Sequence, residues 1–335
     1  MTIKDLSAQT GYSVGTISRV LNNQPNVSQK ARETVLRAVQ ESGFQLNANA
    51  KQLKQQHGNS ILVLVKGTHN ELFGSLVESL QAHIANTKYP LIVDYMDESE
   101  NEVLRALQLC REKKPLGILF LGGNRGNFLA DFDKISMPCV LVTNDASAYP
   151  FANLSSVSSD DRLASRLAIE HLIALGHRRI AVISGNRSRS DTGRIRFEAC
   201  LETFRDHGIE FEPDRDSETV RYTFSDGYQA ALRLLQKGSR FTALFAMSDV
   251  MALGAIRGLR DAGMRVPEDV SVVGLDGLDI GEYTVPRLAS IAQNVEELAA
   301  RSVRILLDHI ENQATGRYEI LPVALLDRES ARKKT

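Results

Sequence analysis

The sequence predicts an α/β body, a doubly wound parallel-sheet structure in two lobes, preceded by an all-α helix-turn-helix head. From residue 59 onward, short apolar runs alternate with amphipathic stretches, as buried parallel strands alternate with their connecting helices. Residues 1–45 have no such run and show three short helical patterns separated by turn residues. A length of 335 residues is that of two or three domains.

The first two helical patterns form a recognisable pair. Thr2 is a candidate N-cap for the first helix, and Gly11 ends that helix in a left-handed conformation. Ser13 caps the second helix, whose buried face consists of Ile17, Val20 and Leu21. Two short helices joined by a three-residue turn with a glycine are the helix-turn-helix pattern. The spacing alone also fits a plain three-helix packing unit.

The outward face of the second helix is suited to DNA. It consists of Val14, Gly15, Thr16, Ser18, Arg19, Asn22 and Asn23. Short polar side chains allow close approach to phosphates, and Arg19 can donate two hydrogen bonds to a guanine edge or to a phosphate. In a helix-turn-helix, this helix lies in the major groove.

The third helix and the charge of the head complete this pattern. The helix starts at Ser28, ends at Gly43 and has the apolar stripe Ala31, Val35, Leu36 and Val39. Residues 1–57 contain seven lysines and arginines against three acidic residues, whereas the remaining chain has a net charge of −5. This asymmetry favours a polyanionic partner for the head alone.

Seven apolar runs of the body are predicted strands. They span residues 61–65, 91–95, 117–121, 139–143, 180–184, 242–246 and 270–274. The helical patterns between and after them span residues 72–86, 99–112, 161–175, 195–207, 226–237, 249–262 and 296–312. Seven strand-helix units are more than one sheet of this kind usually holds, so we expect two similar lobes. The chain crosses to the second lobe near residue 158 and returns near residue 290.

The predicted ligand site lies beyond the carboxyl ends of these strands. Those ends carry carboxylates, arginines and amides, together with the aromatic side chains Phe73 and Tyr222. Paired aspartates and arginines suit vicinal hydroxyl groups, and aromatic faces suit a sugar ring or a base.

The head resembles the DNA-binding head of the lactose-repressor family of bacterial transcription regulators. The ungapped likeness includes "TIKD", "GYS", "TISRVLN" and the exit "GF". The resemblance implies DNA contacts from Thr2, Ser13, Val14, Gly15, Thr16, Ser18, Arg19 and Asn22. Gly15 departs from the family because it has no side chain that could hydrogen-bond to a base.

The segment "LNANAKQLKQQHGNS" resembles the hinge helix of that family. The resemblance implies that two copies meet in the minor groove, with contacts from Asn47, Ala50, Lys51 and Leu53. Leu53 is at the position of the leucine that wedges between base steps and kinks the duplex. Asn49 replaces the usual leucine of the family. A flexible linker is the alternative interpretation.

The body resembles the effector-binding core of the same family, which is itself similar to periplasmic sugar-binding proteins. The likeness is carried by "HLIALGHRRIAVISG", "SDVMALGAIRGLRDAG", "VPEDVSVVGLDG" and "DRESA". It implies effector contacts from Asn70, Phe73, Asp191, Arg194, Arg196, Tyr222, Ser248, Asp249 and Asp276. Two departures from the family affect the identity of the effector, namely "NELF" in place of "NPFF" and Thr143 in place of an aspartate.

This likeness implies a division into head, hinge and body. The head is residues 1–45, the hinge 46–58 and the body 59–335. The first lobe of the body is about 59–157 and 291–319, and the second is about 158–290 and 320–335. The family organisation implies a homodimer that presents two heads to a near-palindromic operator.

Other function classes find less support in the sequence. The glycine-rich "LGGNRG" lacks the lysine of a P-loop, and there is no G-x-S-x-G elbow or metal-ligand spacing of histidines. We therefore expect no catalytic residue, no metal and no cofactor. A sugar- or nucleotide-processing enzyme and a transport-type sugar receptor remain the alternatives. The absence of a signal peptide pattern disfavours the receptor and predicts a cytoplasmic protein without membrane partners.

Taken with the resemblance, the sequence predicts a ligand-responsive, DNA-binding transcriptional repressor. Its expected effector is a small sugar or a nucleoside-like molecule.

Overall fold

A computed structural model describes residues 3–21, 27–42, 58–68, 70–187 and 190–334. The chain forms two compact units, residues 1–57 and residues 58–335. Within the described ranges, no helix combines the length and apolarity needed to cross a membrane.

The head consists of three helices, α1 (Ile3–Thr10), α2 (Val14–Leu21) and α3 (Gln29–Ser42). Gly11 joins α1 to α2 with φ of +73°, a conformation that glycine adopts without strain. Ser13 caps α2, because its Oγ accepts a hydrogen bond from the N–H of Thr16 at 3.2 Å. The core of the head consists of Leu6, Ile17, Val20, Val35 and Ala38. The three predicted helices are confirmed.

One predicted core residue of α3 is wrong. Leu36 was expected in the buried stripe but is 47% exposed, whereas Ala38 is buried. The buried face of α3 runs through Ala31, Val35 and Ala38, at spacings of four and three residues. Leu36 is one residue past this face.

The first lobe of the body is a six-stranded sheet in which all strands are parallel, with the order β11-β5-β4-β3-β1-β2. Its strands are β1 (Ile61–Lys66), β2 (Leu91–Met96), β3 (Gly117–Leu121), β4 (Cys139–Val142), β5 (Leu154–Ser159) and β11 (Tyr318–Leu321). The helices that follow its strands are α4 (Glu71–Ala85), α5 (Glu102–Lys113) and α6 (Arg125–Asp131).

The second lobe is a six-stranded sheet with the order β12-β10-β9-β8-β6-β7, in which only β12 is antiparallel to its neighbour. Its strands are β6 (Ile180–Ser184), β7 (Ser217–Thr219), β8 (Ala243–Ala246), β9 (Ser271–Asp276), β10 (Ala289–Ala292) and β12 (Ala324–Leu326). The helices of the second lobe are α7 (Asp161–Ala174), α8 (Asp191–Asp206), α9 (Pro213–Asp216), α10 (Phe224–Gln236) and α11 (Asp249–Asp261). The next helix along the chain, α12 (Val295–Asn312), packs on the first lobe.

The two-lobed doubly wound fold is confirmed, and each of the seven predicted strands is present to within about two residues. Strand β5, "LSSVSS", was missed because its serines hide the apolar pattern. Ser155 Oγ accepts a hydrogen bond from the N–H of Arg317, and Ser156 Oγ accepts one from the N–H of Ala146. Hydroxyl groups satisfied in this way can be buried in a sheet.

Helix α8 begins four residues before the predicted start of 195. Ser190 caps it, since its Oγ accepts the N–H of Gly193 at 3.1 Å. Asp191 and Arg194 consequently lie in the first turn of a helix rather than in a loop.

The chain passes between the two sheets three times, after β5, after β10 and after β11. Helix α12 packs against α4 and the first sheet, although it follows a strand of the second sheet. Val250 and Leu278 of the second lobe are part of the apolar cluster of the first lobe. The lobes are therefore joined by an apolar seam as well as by the three crossovers.

Close packing of α10 on α11 depends on a buried glycine. A Cβ atom on Gly254 would lie 2.0 Å from the carbonyl oxygen of Phe224.

Gly254→Ala must push the two helices apart, so we expect the free energy of unfolding to fall by about 1–3 kcal/mol in urea titrations. Gly74→Ala in α4 is the matched control, because its Cβ would meet no atom within 4 Å. This variant should gain about 0.5–1 kcal/mol from helix propensity. Equal effects of the two substitutions would contradict the packing argument.

Candidate nucleic-acid interface and ligand cleft

The exposed face of α2 is the candidate DNA-reading surface. Ile17 and Val20 bury the opposite face, which leaves Gly15 and Arg19 exposed to solvent. The Nε of Arg19 donates a hydrogen bond to the carbonyl oxygen of Gly15 at 3.3 Å. A Cβ on Gly15 would lie 3.9 Å from Nη2 of Arg19, an ordinary contact distance, so the guanidinium lies directly beside the exposed backbone of Gly15. A charged donor and an open backbone thus share one helical turn.

The structure places only part of the predicted DNA-binding set. Ser13, Gly15, Thr16 and Arg19 lie at the start and on the surface of α2, and the helix includes Val14 and Ser18. The other predicted contacts lie outside the described residues; they are Thr2, Asn22, Asn47, Ala50, Lys51 and Leu53. The DNA contacts therefore stay a prediction.

A cavity of about 210 Å³ lies between the two lobes of the body. Residues at the carboxyl ends of strands in both sheets line it, which is where doubly wound folds place ligands. The lining side chains from the first lobe include Lys66, Asn70, Phe73, Asp97, Glu98 and Asn144. Those from the second lobe include Asn186, Ser190, Arg221, Tyr222, Thr223 and Asp226.

Two aromatic side chains contribute to the cavity wall, and each packs against a glycine. The Phe73 ring covers Gly122, where a Cβ would lie 3.1 Å from Cζ of the ring. The hydroxyl of Tyr222 occupies the space above Gly185, where a Cβ would lie 2.2 Å from that oxygen. A larger residue at Gly185 would displace Tyr222. The two glycines thus leave room for both rings at the cavity, where aromatic faces suit a sugar ring or a base.

Lys66 is a cation held at the end of β1 by a fully buried carboxylate. Its Nζ forms an ion pair with Glu102, and its side chain is 10% exposed. Glu102 also accepts hydrogen bonds from the N–H of Asn124 and from Nδ2 of Asn127. An ammonium group has three donors, and among the described residues only Glu102 accepts one from Lys66. The remaining donors are available to a molecule in the cavity.

Four predicted effector residues are buried and do not line the cavity. Arg196 donates from Nε to Asp161 at 2.7 Å and from Nη1 to the carbonyl oxygen of Met247 at 3.0 Å. Burial raises the pKa of Asp161, and the charge of Arg196 opposes that rise. Ser248 caps α11 through the N–H of Met251. The other two are the aspartates Asp249 and Asp276.

Asp249 and Asp276 are two buried carboxyl groups that repel each other when both are ionised. Asp249 accepts hydrogen bonds from the N–H of Leu278 and from the hydroxyl of Ser290. Asp276 accepts one from Nε2 of Gln293 at 2.8 Å and has φ of +130°, which non-glycine residues rarely adopt. Burial first, and then the charge of Asp249, raise the pKa of Asp276 to about 8.

The structure separates the nine predicted effector residues into three places. Asn70, Phe73 and Tyr222 line the cavity, and Asn70 Oδ1 also caps α4 by accepting the N–H of Leu72. Asp191 and Arg194 line a neighbouring groove of about 340 Å³. The remaining four are the buried residues described above. Their assignment to the effector stays a prediction.

Comparison with known proteins supports the two-part organisation. A family model for bacterial regulatory proteins of the lacI family matches residues 2–47, and a model for a periplasmic binding protein-like domain matches residues 169–331. The HTH-type transcriptional regulator MalR of Clostridium butyricum is 33% identical, over 98% of this chain and 99% of its own. The chain belongs to the lacI family of bacterial regulatory proteins.

Two solved structures of transcriptional regulators resemble this protein over 99% of its chain. The lac repressor dimer bound to operator and the anti-inducer ONPF has a TM-score of 0.78 and 27% identity, over 99% of both chains. The transcriptional regulator CelR in complex with cellobiose has a TM-score of 0.72 and 28% identity, over 99% of this chain and 100% of its own.

Sequence reasoning missed one group of charged residues in this lacI-family member. Arg221 of the second lobe forms ion pairs with Asp97 and Glu98 of the first lobe. Asp97 and Glu98 directly follow β2, so their position at a strand end was the available signal. The pairing itself carries no sequence signal, because the partners are more than 120 residues apart.

The glycine-rich segment 121–126 is a turn into a helix. Gly122 has φ of +78°, and Asn124 caps α6 by accepting the N–H groups of Gly126 and Asn127. Within the described part of the chain, no group of three histidine, cysteine or acidic side chains could hold a metal ion.

Asp276 gives the stability of this protein a pH dependence of defined sign. Because its folded-state pKa is raised to about 8, the folded state binds its proton more tightly than the unfolded chain does. Stability is therefore lost as the pH rises from about 4 to about 8, by at most about 1.4 kcal/mol per pH unit. In Asp276→Asn this loss should become smaller in urea titrations at several pH values. A part between about pH 4 and 6 should remain, because burial also raises the pKa of Asp249 to about 6.

Asp269→Asn is the control for that experiment. Asp269 is held by Arg265, whose hydrogen bond lowers the pKa of this carboxyl group. It stays ionised in both states above about pH 5, so its removal should shift stability equally across the range. If Asp276→Asn keeps the parental slope, the carboxyl group of Asp276 is ionised in the folded protein and the prediction is wrong.

Proposed function

We propose that the protein is a transcriptional repressor whose binding to a near-palindromic operator is controlled by a small effector in the cleft. The observation that carries this proposal is the combination, in one chain, of an exposed helix-turn-helix surface and a cavity lined by two lobes. Full-length similarity to an operator-bound repressor and to a cellobiose-bound regulator supports it. The division into head 1–45, hinge 46–58 and body 59–335 is part of the same proposal.

The DNA partner is inferred from the chemistry of the head. The guanidinium of Arg19 can donate two hydrogen bonds at once to a guanine edge or to a phosphate. It lies on the exposed face of α2. The hinge would place Leu53 in the minor groove of the operator, as the family resemblance implies.

The homodimer is inferred from the neighbouring dimeric repressor and from exposed apolar side chains on the body. Tyr283 is 84% exposed and Val285 is 79% exposed, and they lie two residues apart on the second lobe. Apolar side chains exposed to this degree and close together are typical of an interaction surface. A dimer places two heads at the two halves of a near-palindrome.

The effector is inferred to be a sugar or a nucleoside-like molecule. The cavity offers two aromatic faces, Phe73 and Tyr222, with donors and acceptors around them. Lys66 supplies donors whose charge is already balanced by Glu102, so it can bind hydroxyl oxygens without requiring an anion. An uncharged, hydroxylated ligand fits this set.

Control follows from the position of the cavity between the lobes. An effector that contacts both lobes stabilises one relative arrangement over others, and so shifts the population of the DNA-competent state. No step of this mechanism changes a covalent bond, and we infer that the protein acts in the cytoplasm without catalysing a reaction.

The role of Arg19 can be tested on an operator selected from random duplexes by the protein itself. Arg19→Ala should lose about 1–3 kcal/mol of operator binding at fixed salt, because a bidentate contact to a base is lost. Binding to a scrambled duplex should change much less. Both affinities can be measured by fluorescence anisotropy.

Lys30→Ala removes one positive charge from α3 and is the matched control. It should weaken binding to the operator and to the scrambled duplex equally, since the loss of one positive charge lowers the general attraction to the DNA backbone, which carries no sequence information. If Arg19→Ala, like Lys30→Ala, loses as much binding to the scrambled duplex as to the operator, Arg19 does not read a base.

The cleft can be tested with a thermal-shift screen of sugars, sugar phosphates and nucleosides. For the ligand that this screen finds, the family resemblance implies that Arg196→Ala and Asp276→Ala abolish the ligand response of operator binding, although neither side chain lines the cavity. A polar partner that does contact the ligand contributes about 1–3 kcal/mol to its binding, and more where the partner is charged. Tyr222→Leu, at the cavity wall, tests the same site without removing a buried charge. If all three variants respond like the parent, the effector binds elsewhere.

A further inference from the structure

The cleft has a hinged edge and an open edge. The three crossovers leave from β5, β10 and β11, which lie at one side of the two sheets. Strands β2 and β7 are the last strands at the opposite side of their sheets. The ends of β2 and β7 are therefore the strand ends farthest from the crossovers, where opening of the lobes would separate them most. A contact between them resists that opening most effectively.

Such a contact exists, and it is ionic. Nη2 of Arg221, just after β7, lies 2.9 Å from Oδ2 of Asp97, just after β2, and Nε of Arg221 donates to Glu98. The Asp97 carboxylate is fixed in place, because its Oδ1 accepts hydrogen bonds from the N–H and the Oγ of Ser99. Its second oxygen is thus presented to the guanidinium of the other lobe.

The same three side chains line the cavity. They are also partly exposed to solvent, with Arg221 53% and Asp97 45% exposed. Exposed ion pairs are weak and are screened by salt, so this contact can open and close reversibly. The hydrogen bond from the N–H of Arg125 to Asp191, at 2.9 Å, also joins the lobes.

We propose that Arg221, Asp97 and Glu98 form a clasp that holds the lobes closed over the cavity and sets how readily the cavity is entered. The clasp goes beyond the proposed function, because lobe closure can be measured without the effector. Its dependence on ionic strength follows from its exposure.

The test is amide hydrogen exchange on the full-length protein, without any ligand. The reporter is the N–H of Arg125, because its acceptor lies on the other lobe and is lost when the lobes separate. Arg221→Gln should accelerate exchange of this amide about two- to fivefold at low salt, the range of a weak exposed ion-pair network. Raising NaCl from about 0.05 M to about 0.5 M should accelerate it in the parent but not in Arg221→Gln.

Two further variants keep the result interpretable. Arg265→Gln removes an arginine that is also exposed but whose partner, Asp269, lies on the same lobe, and it should leave the Arg125 amide unchanged. Glu98→Arg alone should accelerate exchange, and adding Arg221→Glu should reverse this only in part, since the new ion pair forms while Asp97 repels the new carboxylate.

Three results would overturn the clasp. The first is an Arg125 amide that exchanges equally in Arg221→Gln and Arg265→Gln. The second is the same salt dependence in the parent and in Arg221→Gln. The third is acceleration that extends to the core strands β3 and β8, which would report a general loss of stability. Failure of the effector screen would leave these measurements unaffected, so the clasp and the proposed function can fail separately.

Discussion

The three crossovers between the sheets are the constraint on which the body depends. Because all strands except β12 are parallel within their sheets, their carboxyl ends lie at one edge of each sheet, and the two edges face each other across the cavity. The crossovers then fix one side of the cleft as a hinge and leave the side of β2 and β7 open. The cavity, its aromatic walls and the contact of Arg221 with the first lobe all follow from this arrangement.

Buried charge is the second feature of the body. The ion pair of Arg196 and Asp161 and the carboxyl groups of Asp249 and Asp276 lie in the interior, where desolvation is costly. Each is held by specific partners, such as Gln293 for Asp276. These charges are therefore satisfied by partners inside the second lobe, and their assignment to the effector stays a prediction.

Sequence reasoning was successful where a local pattern decides the structure. The run at 117–121 is a strand with the predicted bounds, and Gly11 and Ser13 separate α1 from α2 as their conformational preferences require. Reasoning of this kind was less successful where distant partners compensate a polar sequence. Strand β5 is rich in serine, and only partners such as the N–H of Arg317 make its burial possible.

In the candidate site, too, some features follow from local sequence patterns and others depend on partners far apart in the chain. The sequence by itself determined the class of the fold, the polar face of α2 and the strand ends that supply Asn70, Phe73 and Tyr222, because periodicity and capping act over a few residues. Only the tertiary structure decided that Arg196 and Asp276 are buried, that Lys66 is held by Glu102, and that Arg221 meets Asp97. Those pairings join residues far apart in the chain, and their energies depend on distance and burial, which exist only once the two lobes are folded.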